Sequence, residues 1–295
     1  MDRKTFLKAL ATLPLTGAAM KLQGLHKITD SFQPTDLMPV LFLGHGNPMN
    51  AIVENEFATN FQQLGQKLAK PTAILCISAH WETKGTLVTA MQNPRTIHDF
   101  GGFPQALFDV QYAAPGAPEL AKETQQLVDK TAIGLDHEWG LDHGAWSVLK
   151  HLYPDADIPV IQMSLDYTKP PQFHYDLAKQ LAALRKKGVL IVGSGNIVHN
   201  LRRAARSKEK GENYGYDWAI EANEKMKSYI SKNDHNSLIN YHKQGQAFQL
   251  AIPTPDHYLP LLYTLALQGG KEEVQVFNDK MVAGSLGMAS FTIGI

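Results

Sequence analysis

The chain has 295 residues, with 28 lysines and arginines against 28 aspartates and glutamates, and 44% of its side chains are apolar. This length is sufficient for one large domain or two small ones with a substantial core. The zero net charge argues against a nucleic-acid-binding protein, because such proteins carry basic surfaces. A single cysteine excludes an internal disulfide and a zinc site built from cysteines. Twelve histidines remain, so any metal would have to be held by imidazole.

Residues 1–35 form a segment distinct from the rest of the chain. A basic stretch at residues 2–8 precedes a mildly apolar run at residues 9–20, and together they resemble a twin-arginine export signal in which Lys4 replaces the second arginine. No clean Ala-x-Ala cleavage site follows, so a short amphipathic helix or a disordered tail is the alternative. The first interpretation favours a periplasmic protein and the second a cytoplasmic one. No later segment approaches 18 uninterrupted apolar residues, and we predict no membrane span.

Residues 36–295 are expected to form one catalytic domain. Short apolar runs predict strands at residues 39–43, 72–78, 85–91, 158–165 and 189–192. Amphipathic stretches between them predict helices at residues 55–69, 117–130 and 171–187. Nearly continuous apolar strands alternating with helices are typical of βαβ units, so we expect an α/β fold with a mostly parallel central sheet flanked by helices on both faces. Residues 285–293 predict a closing or edge strand, and residues 208–216 a surface loop.

Three histidines lie at or just beyond predicted strand ends. His45 follows the first strand, His80 ends the second, and His199 follows the strand at 189–192 and a glycine-rich turn at 193–196. We expect His199 to lie in the first turn of a helix. Functional groups of open α/β sheets collect at the carboxyl ends of the strands, so these three positions predict a shared site.

His257 is expected to join that site. Thr254 and Pro255 are typical of a helix N-cap and first helical position, which predicts a helix from there to about residue 267. The positive end of a helix disfavours imidazolium. The pattern therefore predicts a neutral His257 that is able to bind a metal.

Two loops carry further candidates. Residues 140–146 lead into a predicted helix, where His143 could contact substrate and Asp142 could orient a histidine ring. Residues 96–104 combine His98 with Phe100 and Phe103, which suits an aromatic pocket wall or lid. Well-packed structural loops are the alternative for both. The other six histidines lie on polar or amphipathic stretches and are expected at the surface: His26, His137, His151, His174, His235 and His242.

Six short motifs carry a resemblance to a known family. In chain order they are LGHGNP with His45, SAHW with His80, IHDFGGFP with His98, LDHGAW with His143, GSGNIVHN with His199 and TPDHYLPLLY with His257. Together they resemble the LigB-type extradiol ring-cleavage dioxygenases, in particular the 4,5-DOPA-extradiol-dioxygenase-like branch. The resemblance runs from about residue 39 to the end of the chain. It implies a single α/β domain, a divalent metal at the strand ends, and cleavage of a catechol ring by O₂.

The resemblance also implies roles for individual residues. His45 and His80 match two imidazole ligands, and His257 matches a position where related enzymes use a glutamate. His199 matches a histidine that is either a further ligand or an acid–base group, and His143 matches a loop histidine that faces the substrate. Around the ring of the substrate we expect His98, Phe100, Phe103 and Trp81.

The third ligand position departs from the usual pattern. Non-haem Fe(II) oxygenases usually present two histidines and one carboxylate, whereas this chain offers His257. An all-imidazole set suits Zn²⁺ as well as Fe²⁺. The expected cofactor is therefore one divalent ion, either Fe(II) or Zn(II).

Three functional hypotheses follow. The first is extradiol dioxygenation of a small catechol with O₂, in which His199 or His143 accepts a catechol proton and later returns one. The second is a zinc hydrolase on the same scaffold, which would need a nearby carboxylate base such as Glu82 or Asp256. The third is a metal- or partner-binding domain without catalytic activity. The oligomeric state stays open.

Overall fold

The computed structural model describes residues 37–205, 213–270 and 272–295. The export-like segment at residues 1–35 and most of the predicted loop at 208–216 lie outside these ranges. Within the described parts of the chain, no helix is long and apolar enough to cross a bilayer.

A large sheet forms the centre of the described domain. The strands are β1 (Val40–Gly44), β2 (Ala73–Thr83), β3 (Thr86–Thr89), β4 (Ile133–Asp136), β5 (Val160–Asp166), β6 (Val189–Gly195), β7 (Val274–Phe277), β8 (Met281–Val282), β9 (Leu286–Gly287) and β10 (Ser290–Ile293). Eight of them form one sheet in the order β4-β3-β5-β2-β6-β1-β10-β7, and β8 pairs with β9. The four central strands, β5-β2-β6-β1, are parallel. The predicted mostly parallel sheet is confirmed.

Helices cover both faces of this sheet. They are α1 (Glu56–Lys67), α2 (Gln105–Phe108), α3 (Pro118–Leu127), α4 (His143–Leu152), α5 (Pro171–Lys179), α6 (Ala182–Arg185), α7 (Asp217–Ser231), α8 (His235–Ile239), α9 (Gln246–Ala251) and α10 (Leu259–Leu265). Capping explains where several begin. In α1, for example, the side chain of Asn55 accepts a hydrogen bond from the backbone N–H of Ala58, which satisfies a donor at the helix start.

The central strands are buried on both sides, which explains their continuous apolar runs. In β1, Val40 and Phe42 pack into one core cluster, with residues of α5, α7, α9 and α10. Leu41 and Leu43 alternate with them and pack into the other cluster, with residues of α1 and α4. Because successive side chains of a strand point to opposite faces, a strand buried on both faces has no polar side.

One predicted turn and one predicted edge position differ from the structure. Residues 193–195 were predicted to turn, but they continue β6. Gly193 fits within the strand because α10 passes close above it, so that a Cβ there would lie 2.6 Å from the carbonyl oxygen of Pro260. The final predicted strand is present as β9 and β10, and β10 is not an edge because β7 pairs with it on the outer side.

Two predicted helix positions are wrong. His199 is not in a helix: its backbone forms an isolated bridge with Leu286. The helix predicted from Thr254 starts later, at Leu259. The residues before it form a turn in which the N–H groups of Tyr258 and Leu259 both donate to the carbonyl of Pro255. His257 therefore lies in the turn just before α10.

Candidate metal centre

Three imidazoles converge at the carboxyl end of the parallel strands. His45 directly follows β1, His80 lies in β2 beyond its last pairing with β6 at Ser78, and His257 lies in the turn before α10. Their ligand nitrogens lie within 4.8 Å of one another. The Nε2 atoms of His45 and His80 are 3.2 Å apart. Two nitrogens that share a tetrahedral Zn²⁺ at about 2.0–2.1 Å lie about 3.3–3.4 Å apart, so this spacing fits a shared ion.

The hydrogen bonds of His45 define which of its nitrogens is free. The hydroxyl of Ser194 donates its proton to the carbonyl of Gly144. It must therefore accept the hydrogen bond at 3.0 Å from Nδ1 of His45. This fixes the proton on Nδ1 and leaves Nε2 of His45 with a free lone pair.

The other two rings contact carboxylates through the same atom. Nδ1 of His80 lies 3.2 Å from Oδ2 of Asp99, and Nδ1 of His257 contacts Oδ2 of Asp256. An ionised carboxylate only accepts hydrogen bonds, so both Nδ1 atoms carry protons and both Nε2 atoms are free. A second partner of this kind is typical of metal-bound histidines. The donor set of this structure thus fits a divalent ion.

The protonation of the three rings is set by burial and by these carboxylates. Burial, followed by the neighbouring imidazoles, holds the pKa of His45 well below its usual value. Burial also lowers the pKa of His257, against the opposing effect of Asp256. At His80 burial acts in the same direction, but Asp99 and other carboxylates outweigh it and raise the pKa. His45 and His257 are therefore neutral near pH 7, the form that binds metals.

His199 lies beside these three rings but belongs to a different group. Its ligand nitrogen lies within 4.8 Å of ligand atoms of Asp256 and His257. This second group of three residues includes neither His45 nor His80. Its backbone N–H donates to the carbonyl of Ala251. Burial, followed by the neighbouring imidazole of His257, lowers the pKa of His199 to about 3. His199 is thus a neutral ring next to the three converging imidazoles.

His143 is the first residue of α4, and its ring lies next to that of His80. The centroids of the two rings are 3.9 Å apart. Asp99 contacts His143 twice: Oδ1 accepts the backbone N–H at 2.8 Å, and Oδ2 lies 3.0 Å from Nδ1. The expectation that Asp142 orients this ring is not met. Asp142 is fully buried, caps α4 through Ala145 N–H, and is hydrogen-bonded by Ser78 and Gln162.

A cavity of about 300 Å³ opens onto these rings. Its lining consists of His45, Gly46, Asn47, Pro48, His80, Asp99, Phe100, Phe103, His143, His199, Leu201, His257 and Leu286. Phe100 and Phe103 form an aromatic wall, and the ring of Phe100 meets that of His143 edge to face at 5.4 Å. The cavity therefore combines imidazoles with an aromatic wall, which suits a small aromatic ligand.

Two residues expected at the substrate do not line this cavity. Nε2 of His98 donates to the carbonyl of Val110 at 3.0 Å, and its ring packs against Phe108 and Trp146. Trp81 is buried and stacks on Trp139, with ring centroids 5.6 Å apart. His98 thus packs behind the wall, against Phe100, and Trp81 is not part of the lining.

The remaining histidines only partly follow the surface prediction. His137 and His242 are exposed, and His26 lies outside the described residues. The prediction is wrong for His151 and His174, which are buried, and His235 is half-buried. Each of these three finds a hydrogen-bond partner, namely the carbonyl of Asn50, the hydroxyl of Tyr263 and the hydroxyl of Tyr175. Such partners come from distant parts of the chain and leave no local sequence signal.

Comparisons with known proteins identify the family of the chain. Residues 38–290 match the family model of the catalytic LigB subunit of aromatic ring-opening dioxygenase. The chain is 46% identical over 273 residues to 4,5-DOPA dioxygenase extradiol of Escherichia coli (strain K12), covering 90% of this chain and 98% of the relative. A protein of the same name from Portulaca grandiflora is 35% identical over 262 residues, covering 85% and 93%.

A solved structure shares the fold. The crystal structure of uncharacterized protein JW3007 from Escherichia coli K12 superposes with a TM-score of 0.75 at 42% identity, covering 87% of this chain and 100% of that one. The family match spans most of the chain. The two relatives are 46% and 35% identical in sequence to this chain over nearly their whole length. The chain therefore belongs to the LigB family of extradiol aromatic ring-opening dioxygenases.

Proposed function

We propose that this protein cleaves the ring of a catechol with O₂, using one divalent metal ion held by His45, His80 and His257. The observation that carries the proposal is the convergence of three imidazoles on a cavity with an aromatic wall. In each of them a serine or aspartate oxygen lies next to Nδ1, and Nε2 is free. Family membership and the names of the relatives support the same reaction.

Fe(II) is the ion proposed for the active enzyme. The three-imidazole set would also bind Zn²⁺, but zinc has no redox chemistry. Bound Fe(II) would supply the electron transfer to O₂ that no side chain of the site can supply. The zinc-bound form is proposed as a stable but inactive form.

The proposed substrate is a catechol with a DOPA-like substituent. Two relatives are named 4,5-DOPA dioxygenase extradiol. A volume of about 300 Å³ is sufficient for one substituted ring, and Phe100 and Phe103 would pack against it. Aromatic rings prefer such offset or edge-to-face contacts.

His143 is proposed as the group that accepts a proton from a catechol hydroxyl and later returns one. It lines the cavity, lies next to His80, and has its Nδ1 beside Asp99, so its Nε2 is the free nitrogen. Proton transfer of this kind typically contributes about 10²–10⁴-fold to a rate. His199 lines the same cavity and is the second candidate for this role.

The hydrolase alternative gains no support. Of the two carboxylates expected to act as its base, Glu82 is exposed and does not line the cavity. The other, Asp256, contacts Nδ1 of His257. None of the relatives described above carries a hydrolase name.

The experiment that tests the proposed function is anaerobic loading of metal-free protein with Fe(II), followed by addition of a catechol and O₂. The panel would include DOPA, unsubstituted catechol and protocatechuate. We expect O₂ consumption and a coloured semialdehyde product with at least one of them, and neither with Zn²⁺. An Fe(II)-loaded, folded protein that consumes no O₂ with any catechol would contradict the proposal.

A further inference from the structure

We propose that Asp99 is a shared positioning residue, whose single carboxylate holds both the metal ligand His80 and the proton-transfer group His143. This inference rests on the proposed function for the role of His143. Asp99 would orient a metal ligand and the proton-transfer group, whereas the partners of His45 and His257 each contact one of these rings. Asp99 belongs to the loop between β3 and α2, so it reaches both rings from outside the sheet.

Three contacts carry the inference. Oδ2 of Asp99 lies 3.2 Å from Nδ1 of His80 and 3.0 Å from Nδ1 of His143. Oδ1 accepts the backbone N–H of His143 at 2.8 Å. The first contact orients a ring of β2, and the other two fix the first residue of α4. One carboxylate thus ties together two elements that are distant in sequence.

The other two candidate ligands have partners of their own. Ser194 accepts from Nδ1 of His45, and Asp256 contacts Nδ1 of His257. Within the described residues, neither Ser194 nor Asp256 makes a hydrogen bond or ion pair to His143. Removing either partner would therefore disturb one ligand ring, whereas removing Asp99 would disturb a ligand ring and the proton-transfer ring together.

The chemistry of the carboxylate explains why sharing is useful. An ionised carboxylate only accepts hydrogen bonds, so its closeness to both Nδ1 atoms favours, in each ring, the tautomer with the proton on Nδ1 and a free Nε2. The negatively charged carboxylate also holds the ring of His143 in place, with Oδ2 3.0 Å from Nδ1 and Oδ1 accepting the backbone N–H. At His80 the same charge makes the ring a better metal ligand.

The test compares Asp99→Asn with the unmodified protein in two measurements. The first is the Zn²⁺ dissociation constant of metal-free protein, obtained by competition with a chelator. The second is kcat for a catechol at saturating Fe(II). We expect about 10–100-fold weaker Zn²⁺ binding and a fall of about 10²-fold or more in kcat. KM should change less than kcat, because Asp99 would act through the two rings.

Three further variants serve as a rescue, a comparison and a control. Asp99→Glu keeps the carboxylate and should restore part of both properties. Ser194→Ala should weaken Zn²⁺ binding without moving the Nδ1 proton resonance of His143 in spectra of ¹⁵N-histidine-labelled protein. Asp109→Asn is the control, just after α2, because Asp109 is exposed and bonds only Gln105 among the described side chains. It should behave like the unmodified protein.

The inference is overturned if Asp99→Asn is folded and changes neither property, or if it changes only one of them. If the variant does not fold, the labelled spectrum of the unmodified Zn²⁺ form decides. Nδ1 protonation of both His80 and His143 supports the inference, and an unprotonated Nδ1 on either ring overturns it. The Zn²⁺ and spectral measurements need no turnover, so a failure of the proposed function would show separately, as an unmodified Fe(II) protein without dioxygenase activity.

Discussion

The ring of His199 lies parallel to that of His257, with centroids 3.5 Å apart and planes within 6°. A ring stacked in this way packs on the face of its neighbour. The ligand atoms of His45, His80 and His257 form a group that does not include His199. The stack therefore supports a three-ligand metal site with His199 outside it.

This relationship predicts different metal affinities for two alanine variants. We expect His257→Ala to weaken Zn²⁺ binding by more than about 100-fold, a larger loss than removal of an outer-shell partner causes. His199→Ala should weaken it by less than about 10-fold. Chelator competition on metal-free protein measures both. Equal losses in the two variants would show that His199 is a fourth ligand.

The aromatic wall predicts an effect on substrate binding. Phe100→Ala removes a ring that lines the cavity and contacts His143 and Phe103. Aromatic contacts of this type are worth about 0.5–1.5 kcal/mol beyond their buried area, so KM for a catechol should rise by about 3–10-fold or more. Metal content should not change.

Trp81→Phe is the matched comparison for that variant. Trp81 stacks on Trp139 and does not line the cavity, so we expect its KM to stay close to that of the unmodified protein. The comparison is made by steady-state kinetics at saturating Fe(II). A larger rise in KM for Trp81→Phe than for Phe100→Ala would show that Trp81, and not Phe100, contacts the substrate.

Gly144 lies where the backbone of α4 passes close to His80, a candidate metal ligand. A Cβ on Gly144 would lie 2.5 Å from Oγ of Ser78 and 2.8 Å from Cδ2 of His80. Gly144→Ala should therefore push the ring of His80 aside and weaken Zn²⁺ binding by about 10-fold or more, although alanine favours a helix more than glycine does. Gly270→Ala, at an exposed glycine with open space around it, is the control. Unchanged affinity in Gly144→Ala would show that the ring of His80 has room to move.

Much of the fold is predictable because it depends on local apolar patterns. The double burial of β1 requires apolar residues at every position from Val40 to Leu43, and such a run is visible in the sequence. The extension of β6 through residues 193–195 is not visible, because it depends on α10 packing over Gly193. Glycine and serine are typical of turns when read alone.

The site is predictable only in part, for the same reason. His45 and His80 follow apolar runs of the sequence, and that pattern locates both at one end of the parallel strands. The partners of these two rings cannot be located in this way. Ser194 is 149 residues from His45, and Asp99 contacts His80 from the loop between β3 and α2. Asp142 is adjacent to His143 and was the natural candidate to orient it, yet it caps α4 instead. Contacts between distant segments decide these roles, and spacing along the chain does not reveal them.

His174 predicts how stability depends on pH. It is completely buried on α5, and burial, its largest influence, lowers its pKa to about 4, against about 6.5 in an unfolded chain. Between these values the unfolded chain binds a proton that the folded chain does not, so the free energy of unfolding falls as pH drops from about 6.5 towards 4 and is unaffected above that range. The loss from pH 7.5 to pH 5 is about 2 kcal/mol. Urea unfolding at both values should show a smaller loss, by that amount, in His174→Gln. His242→Gln, at an exposed position, should match the unmodified protein, and equal losses in all three proteins would show that His174 takes up its proton in the folded state as readily as in the unfolded chain.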